Sequence, residues 1–202
     1  MPNEQALFVS WVRHAAPYIH AFRNRIFVIG CGGEVMQGDM ALRLAHDCNL
    51  LASLGIRLVL VAGARPQIEA EMSARGLESR YHKGLRVTDA AALECAKRAM
   101  GALCVDIQAL LSQGLPDTPM AGGAMRVAMG NFITAKPVGV VDGVDFQYTG
   151  AVRKVAAESL ARALEDHHVV LIAPFGVSPS GEVFNLSMEE VAERVAVALA
   201  AV

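Results

Sequence analysis

Apolar positions along the chain alternate between a helical period and short unbroken runs, and the switches between the two lay out the elements. From Leu7 to Phe22, the residues Phe8, Trp11, Val12, Ala15, Ile19 and Phe22 share one helical face, with Pro17 placed to kink it. A short buried strand from Ile26 to Ile29 follows, then a glycine turn, an apolar-periodic helix to about Leu54 and a strand from Arg57 to Val61. This is one βαβ unit. Pro66 suits the first turn of a helix reaching about Arg75, and a longer helix spans Asp89 to Leu111. From Met125 to Val155, short β-prone pieces broken by Gly130-Asn131, Asp142-Gly143 and Gly150 predict hairpins laid over one end of the sheet. A helix from Glu158 to Glu165, a strand from Val169 to Ala173 and a turn at Ser178 to Gly181 come next. The last helix opens on the capping-box pattern Ser187-Met188-Glu189-Glu190 and carries Val191, Val195, Leu199 and Val202 down one face. A crossover helix ordinarily feeds another parallel strand, so the ending reads as an interrupted fold.

With 202 residues, 53% hydrophobic and 19% charged, the chain can bury one full core. The net charge of -2 with scattered Lys and Arg leaves no footprint for nucleic acid or a membrane surface, which turns attention to a small-molecule partner. The N-terminus lacks the basic start and apolar run of a signal peptide, and no stretch approaches the roughly 18 apolar residues of a span. Cys31, Cys48, Cys95 and Cys104 form no CxxC pair, which predicts reduced thiols in a cytoplasmic protein, without metal or disulfide.

The candidate chemistry lies at strand ends. Ile29-Gly30-Cys31-Gly32-Gly33 and Val61-Ala62-Gly63-Ala64-Arg65-Pro66 each follow a strand and lead into a helix, where open α/β sheets bind ligands. Either turn alone reads equally as a tight turn. Two at equivalent places point to a ligand, with backbone N–H groups free for an anion. Neither fits the Walker loop or the dinucleotide fingerprint. Arg86, in a polar stretch between helices, can grip a carboxylate through two parallel hydrogen bonds, or form a surface salt bridge, which composition by itself favours. Asn185 either reaches a ligand or shapes the turn before the last helix, the local pattern favouring the turn. Ser187 and Glu190 are assigned to capping, and His46, His167 and His168 to structural or solvated positions.

Taken together, Val28 to Gly33, Leu58 to Ile68 and Lys83 to Asp89 resemble the amino-acid kinase family. The phrases Gly63-Ala64-Arg65-Pro66-Gln67-Ile68, Tyr81 to Asp89, Gly130-Asn131-Phe132-Ile133, Asp142-Gly143-Val144-Asp145 and Phe184 to Glu190 are most similar to the N-terminal domain of its bacterial N-acetylglutamate synthase subgroup, over almost the entire chain. The resemblance implies a three-layer αβα fold with an open, mainly parallel sheet and a β-hairpin insertion. It divides the chain into an N-terminal helical arm (1–24) and the N-terminal portion of a kinase-like domain (25–202), with the acetyltransferase domain absent.

The resemblance also sets the chemistry. The related kinases keep a lysine where this chain has Gly30, a glycine at Arg65 and a catalytic aspartate at Glu189. Phosphoryl transfer needs positioned positive charge, which a glycine cannot supply. The implied role is therefore a non-phosphorylating regulatory and assembly domain of an amino-acid N-acetyltransferase in arginine biosynthesis. The alternative is an active N-acetylglutamate kinase with another cation in place of the lysine. The degenerate pocket implied for arginine, glutamate or acetylglutamate comprises Gly32, Gly33, Gly63, Ala64, Arg65, Arg86, Asn185 and Glu189. Acetyl-CoA is expected as the parent enzyme's cofactor and none in this chain, since Gln147 to Val152 comes nearest to an acetyl-CoA loop and fails at its last position. Phe8, Trp11, Tyr18, Ile19 and Phe22 are implied contacts of a homo-oligomer, a dimer or hexamer. Packing of that helix on the chain's own core stands as the other reading.

Overall fold

The computed structural model describes residues 4–113, 125–166 and 169–202, so the expectation for His167 and His168 lies outside the described residues. The most apolar runs take the centre. β1 (Ile26–Cys31), β2 (Arg57–Ala62), β10 (Val169–Ile172) and β5 (Val127–Ala128) form a sheet in the order β1-β2-β10-β5, with every neighbouring pair parallel. All of β10, and β2 from Leu58 onward, are buried, as unbroken Leu/Val/Ile runs must be when helices cover both faces.

Alternation along those strands sorts two cores. Leu58, Leu60, Val169 and Leu171 meet α2 (Gly38–Ser53), α3 (Arg65–Ser73) and α4 (Ala90–Ser112) through Cys48, Ile68, Met72, Ala96, Met100 and Ile107. Val59, Val61, Val170 and Ile172 face the other way, onto Leu160 and Leu164 of α5 (Ala157–Asp166) and Val191 and Val195 of α6 (Met188–Ala200). The result is the expected three-layer αβα arrangement.

A second sheet, in the order β12-β11-β6-β9, joins β12 (Val183–Asn185), β11 (Phe175–Val177), β6 (Ile133–Pro137) and β9 (Gly150–Val155). Its Ile133, Ala135, Val152 and Phe184 extend the second core. The hairpins expected between Met125 and Val155 thus resolve into parts of both four-stranded sheets and one separate two-stranded ribbon, because β5 pairs with β10 and β6 pairs with β9. At Asp142-Gly143, both at positive φ, a tight turn joins β7 (Val140–Val141) to β8 (Val144–Asp145). The stretch from Tyr81 to Arg86 is also a hairpin, β3 (Arg80–His82) and β4 (Leu85–Val87), turning on Lys83 and Gly84 at φ of 49° and 80°.

Three further expectations are corrected. β1 runs past Ile29 to Cys31, since Gly30 and Cys31 continue the ladder with Val61 and Ala62, and as an edge strand it is only partly buried. α2 begins at Gly38, so the first glycine turn does not lead straight into a helix. Val202 lies beyond the end of α6 and is 72% exposed, outside the stripe that buries Val191 and Val195.

α1 (Glu4–Phe22) has no buried residue, which overturns packing on the chain's own core. Its Phe22 ring meets Phe27 edge-on at 5.4 Å. The four cysteines are free and buried, and burial pushes the thiols of Cys31, Cys48 and Cys104 up to about 11. His46 is exposed. Among the described residues, no helix is long and apolar enough to cross a membrane.

Candidate functional site

The carboxyl ends of β1 and β2 lie side by side, and Gly63 N–H donates to the Cys31 carbonyl at 2.8 Å, so their two turns open at the same edge. After β2 the chain enters α3 at once, with Ala64 as N-cap and Pro66 in the first turn. After β1 it makes a tight turn, with Val35 and Met36 N–H donating to the Gly32 and Gly33 carbonyls, before α2 starts. The Gln67 amide of α3 donates to the Gly33 carbonyl at 2.7 Å and ties the two turns together.

These turns, the β3–β4 hairpin, the end of β12 and the start of α6 surround a cleft of about 230 Å³. Gly32, Gly33, Gly63, Ala64, Arg65, Arg86, Asn185 and Glu189 all line it. So do Glu34, Tyr81, Thr149 and Met188, which the sequence did not single out. Phe8, Trp11, Tyr18, Ile19 and Phe22 do not. They form an exposed stripe on α1, where Trp11 is 69% exposed.

Arg86 is neither a free carboxylate grip nor a surface salt bridge. Its side chain is 6% exposed, and its guanidinium donates to Glu69 Oε1 at 2.8 Å and to the Ser79 hydroxyl oxygen. Glu69, on α3, also accepts from the hydroxyls of Ser79 and Tyr81, at 2.5 Å each. One carboxylate thereby fastens the hairpin to the helix. The Tyr81 ring has two guanidinium neighbours, Arg65 and Arg86, each 4.9 Å from its centroid. Arg65 itself is exposed and donates to the Gly84 carbonyl at 3.2 Å.

Asn185 is buried inside β12 rather than in a turn, and its amide donates to Thr88 Oγ1 at 3.2 Å. Thr88 N–H donates to Thr149 Oγ1 at 3.1 Å, which gives buried polar groups partners at the floor of the cleft. Ser187 caps α6 by accepting from Glu190 N–H at 3.3 Å and donates to Glu189 Oε2 at 2.6 Å. That hydrogen bond, Glu189's own backbone N–H and the nearby Arg65 charge hold the Glu189 carboxyl below its ordinary range. Glu190 does not close the capping box, because its carboxylate accepts from Val152 N–H at 3.0 Å. A tertiary partner has replaced the local one.

Residues 25–202 match the model of the amino acid kinase family. The chain belongs to that family. Its relatives include the amino-acid acetyltransferase of Ralstonia nicotianae, 53% identical over 198 residues, covering 98% of this chain and 44% of that protein. That of Pseudomonas aeruginosa is 50% identical over 194 residues, covering 96% and 45%. Among solved structures, N-acetylglutamate synthase from Neisseria gonorrhoeae complexed with coenzyme A and L-arginine superposes with a TM-score of 0.85 at 38% identity, covering 95% of this chain and 45% of that one. The same enzyme complexed with coenzyme A and N-acetyl-glutamate gives 0.84, again at 38% identity, covering 95% and 43%. The chain spans less than half the length of these relatives.

Desolvation raises the Glu69 pKa, but hydrogen bonds from Ser79 and Tyr81 and the Arg86 charge outweigh it, leaving the carboxyl below its usual 4.5. A group depressed in the folded state contributes stability that is present above the unfolded pKa and is lost as pH falls through the folded one. Glu69→Gln should therefore lower the urea midpoint at neutral pH, with the gap to the parent chain narrowing as pH falls below 4.5. A gap independent of pH would show that this carboxylate is not the clasp.

Proposed function

We propose that this chain is the kinase-like, non-phosphorylating regulatory and assembly part of an N-acetylglutamate synthase, whose parent reaction transfers the acetyl group of acetyl-CoA to L-glutamate in the first step of arginine biosynthesis. The reading divides the chain into a helical arm (1–24) and a ligand-binding body (25–202), with the acetyl-CoA site in a part of the parent enzyme outside this chain. The cleft takes arginine, glutamate or acetylglutamate. Its setting is cytoplasmic.

The observation that carries the non-phosphorylating assignment is the charge of the cleft. Among the described residues that line it, the charged groups are Arg65, Arg86, Glu34 and Glu189. Arg86 is neutralised by Glu69, which leaves one arginine against two carboxylates. A β-carbon on Gly30 would sit 2.9 Å from Met188 Sδ and 3.3 Å from Ala192 Cβ, so the space beside β1 belongs to α6. A migrating phosphoryl group carries negative charge that needs positioned cations, and this arrangement repels it. The cleft's volume, below the roughly 300 Å³ of the smallest drug-sized pockets, also suits an amino acid better than a nucleotide.

Assembly is assigned to α1, whose Phe8, Trp11 and Tyr18 stand exposed with no partner in the chain's own core. A contiguous apolar stripe of that kind is covered in a homo-oligomer, a dimer or hexamer.

Incubation with ATP, magnesium and N-acetylglutamate should give no acyl phosphate. Turnover on the order of 1 per second, the low end of kinase rates, would establish the kinase alternative. In sedimentation velocity the parent chain should run as an oligomer, and Phe8→Asp combined with Trp11→Asp should reduce it to a smaller species with unchanged circular dichroism. An oligomer indifferent to both substitutions would remove the assembly role from α1.

A further inference from the structure

The Glu34 carboxylate occupies space that only a glycine leaves open. A β-carbon on Gly32 would fall 2.2 Å and 2.4 Å from its two oxygens, so the carboxylate lies folded over the Gly32 backbone and lines the cleft. Its charge is felt at the neighbouring Cys31, whose thiol it helps to raise. Among the described residues it has no ion-pair partner. Glu189, the other carboxylate lining the cleft, is already occupied by the Ser187 hydroxyl and faces the Arg65 charge.

The cations divide in the same way. Arg86 is spent on Glu69 and Ser79. Arg65 makes one backbone hydrogen bond and lies over the Tyr81 ring at 4.9 Å, which still leaves guanidinium donors over. A cleft of about 230 Å³ thus contains one arginine with donors to spare, Arg65, and one carboxylate without an ion-pair or hydroxyl partner among the described residues, Glu34.

We propose that Arg65 and Glu34 are the two poles of a clamp for a free, zwitterionic α-amino acid. The ligand carboxylate pairs with the Arg65 guanidinium, and the ligand ammonium with the Glu34 carboxylate. N-acylation removes the ammonium charge and leaves Glu34 without a partner, so the clamp selects L-glutamate against its N-acetyl derivative. This rests on reading the cleft as an amino-acid site, and it reassigns carboxylate recognition from Arg86 to Arg65.

Titration calorimetry of the 202-residue chain with L-glutamate and with N-acetyl-L-glutamate tests it. The free amino acid should bind at least about tenfold tighter, the scale of one hydrogen bond to a charged group. Glu34→Gln should erase that preference by weakening L-glutamate alone, and Gly32→Ala should act likewise by displacing the carboxylate. Arg65→Gln should weaken any binding of either compound. Thermal melting reports folding, and Glu34 and Arg65 are exposed, so their variants should melt as the parent does. N-acetyl-L-glutamate binding as tightly as L-glutamate, or a preference that survives Glu34→Gln, would overturn the clamp while leaving the amino-acid site in place. Heat from neither compound, nor from L-arginine titrated in the same way, would overturn both.

Discussion

The buried guanidinium of Arg86 organises everything around the cleft. A full charge with 6% of its side chain exposed must be paired, because an uncompensated ion in a poorly solvated place costs several kcal/mol. The pairing carboxylate comes from Glu69 on α3, and the same group takes the hydroxyls of Ser79 and Tyr81 beside and within the hairpin. A two-stranded hairpin of three-residue strands is marginal by itself. Here it becomes a fixed wall, and its backbone in turn receives Arg65 at Gly84.

Fixing Arg86 also decides which charges face the cleft. The parallel sheet delivers two glycine turns and the N-terminus of α3 to one edge, an arrangement that many α/β proteins use for phosphate. In this chain the same edge carries Glu34 over Gly32 and Glu189 at the start of α6, while Met188 stands against Gly30. The backbone scaffold is one that suits an anion, while the side chains around it bring two carboxylates against one arginine free of a salt bridge among the described residues. That combination is coherent for a ligand with a charge of each sign, and incoherent for a triphosphate.

Legibility from sequence followed how local each determinant is. β2 and β10 were readable because strands covered on both faces need unbroken apolar runs, and α4 because Asp89 caps it and its apolar period persists over 23 residues. The β3–β4 hairpin reads as a polar stretch between helices, although Lys83-Gly84 between two alternating triplets carries the signal. The cleft residues on glycine turns could be placed from strand ends alone. Arg86's commitment to Glu69 could not, since the partner lies 17 residues away on another element. Glu34, Tyr81 and Met188 enter only through tertiary packing, and Glu190 followed the nearest tertiary donor rather than its own motif.

The proposed function depends on a strand-end cleft whose charges do not suit nucleotide phosphates. Phosphorus-31 NMR of magnesium-bound ATP, titrated with the chain, reads that most directly. The resonances should stay unchanged in position and width throughout the titration. A saturable shift of the β- and γ-phosphorus signals, abolished by Arg65→Gln, would contradict it.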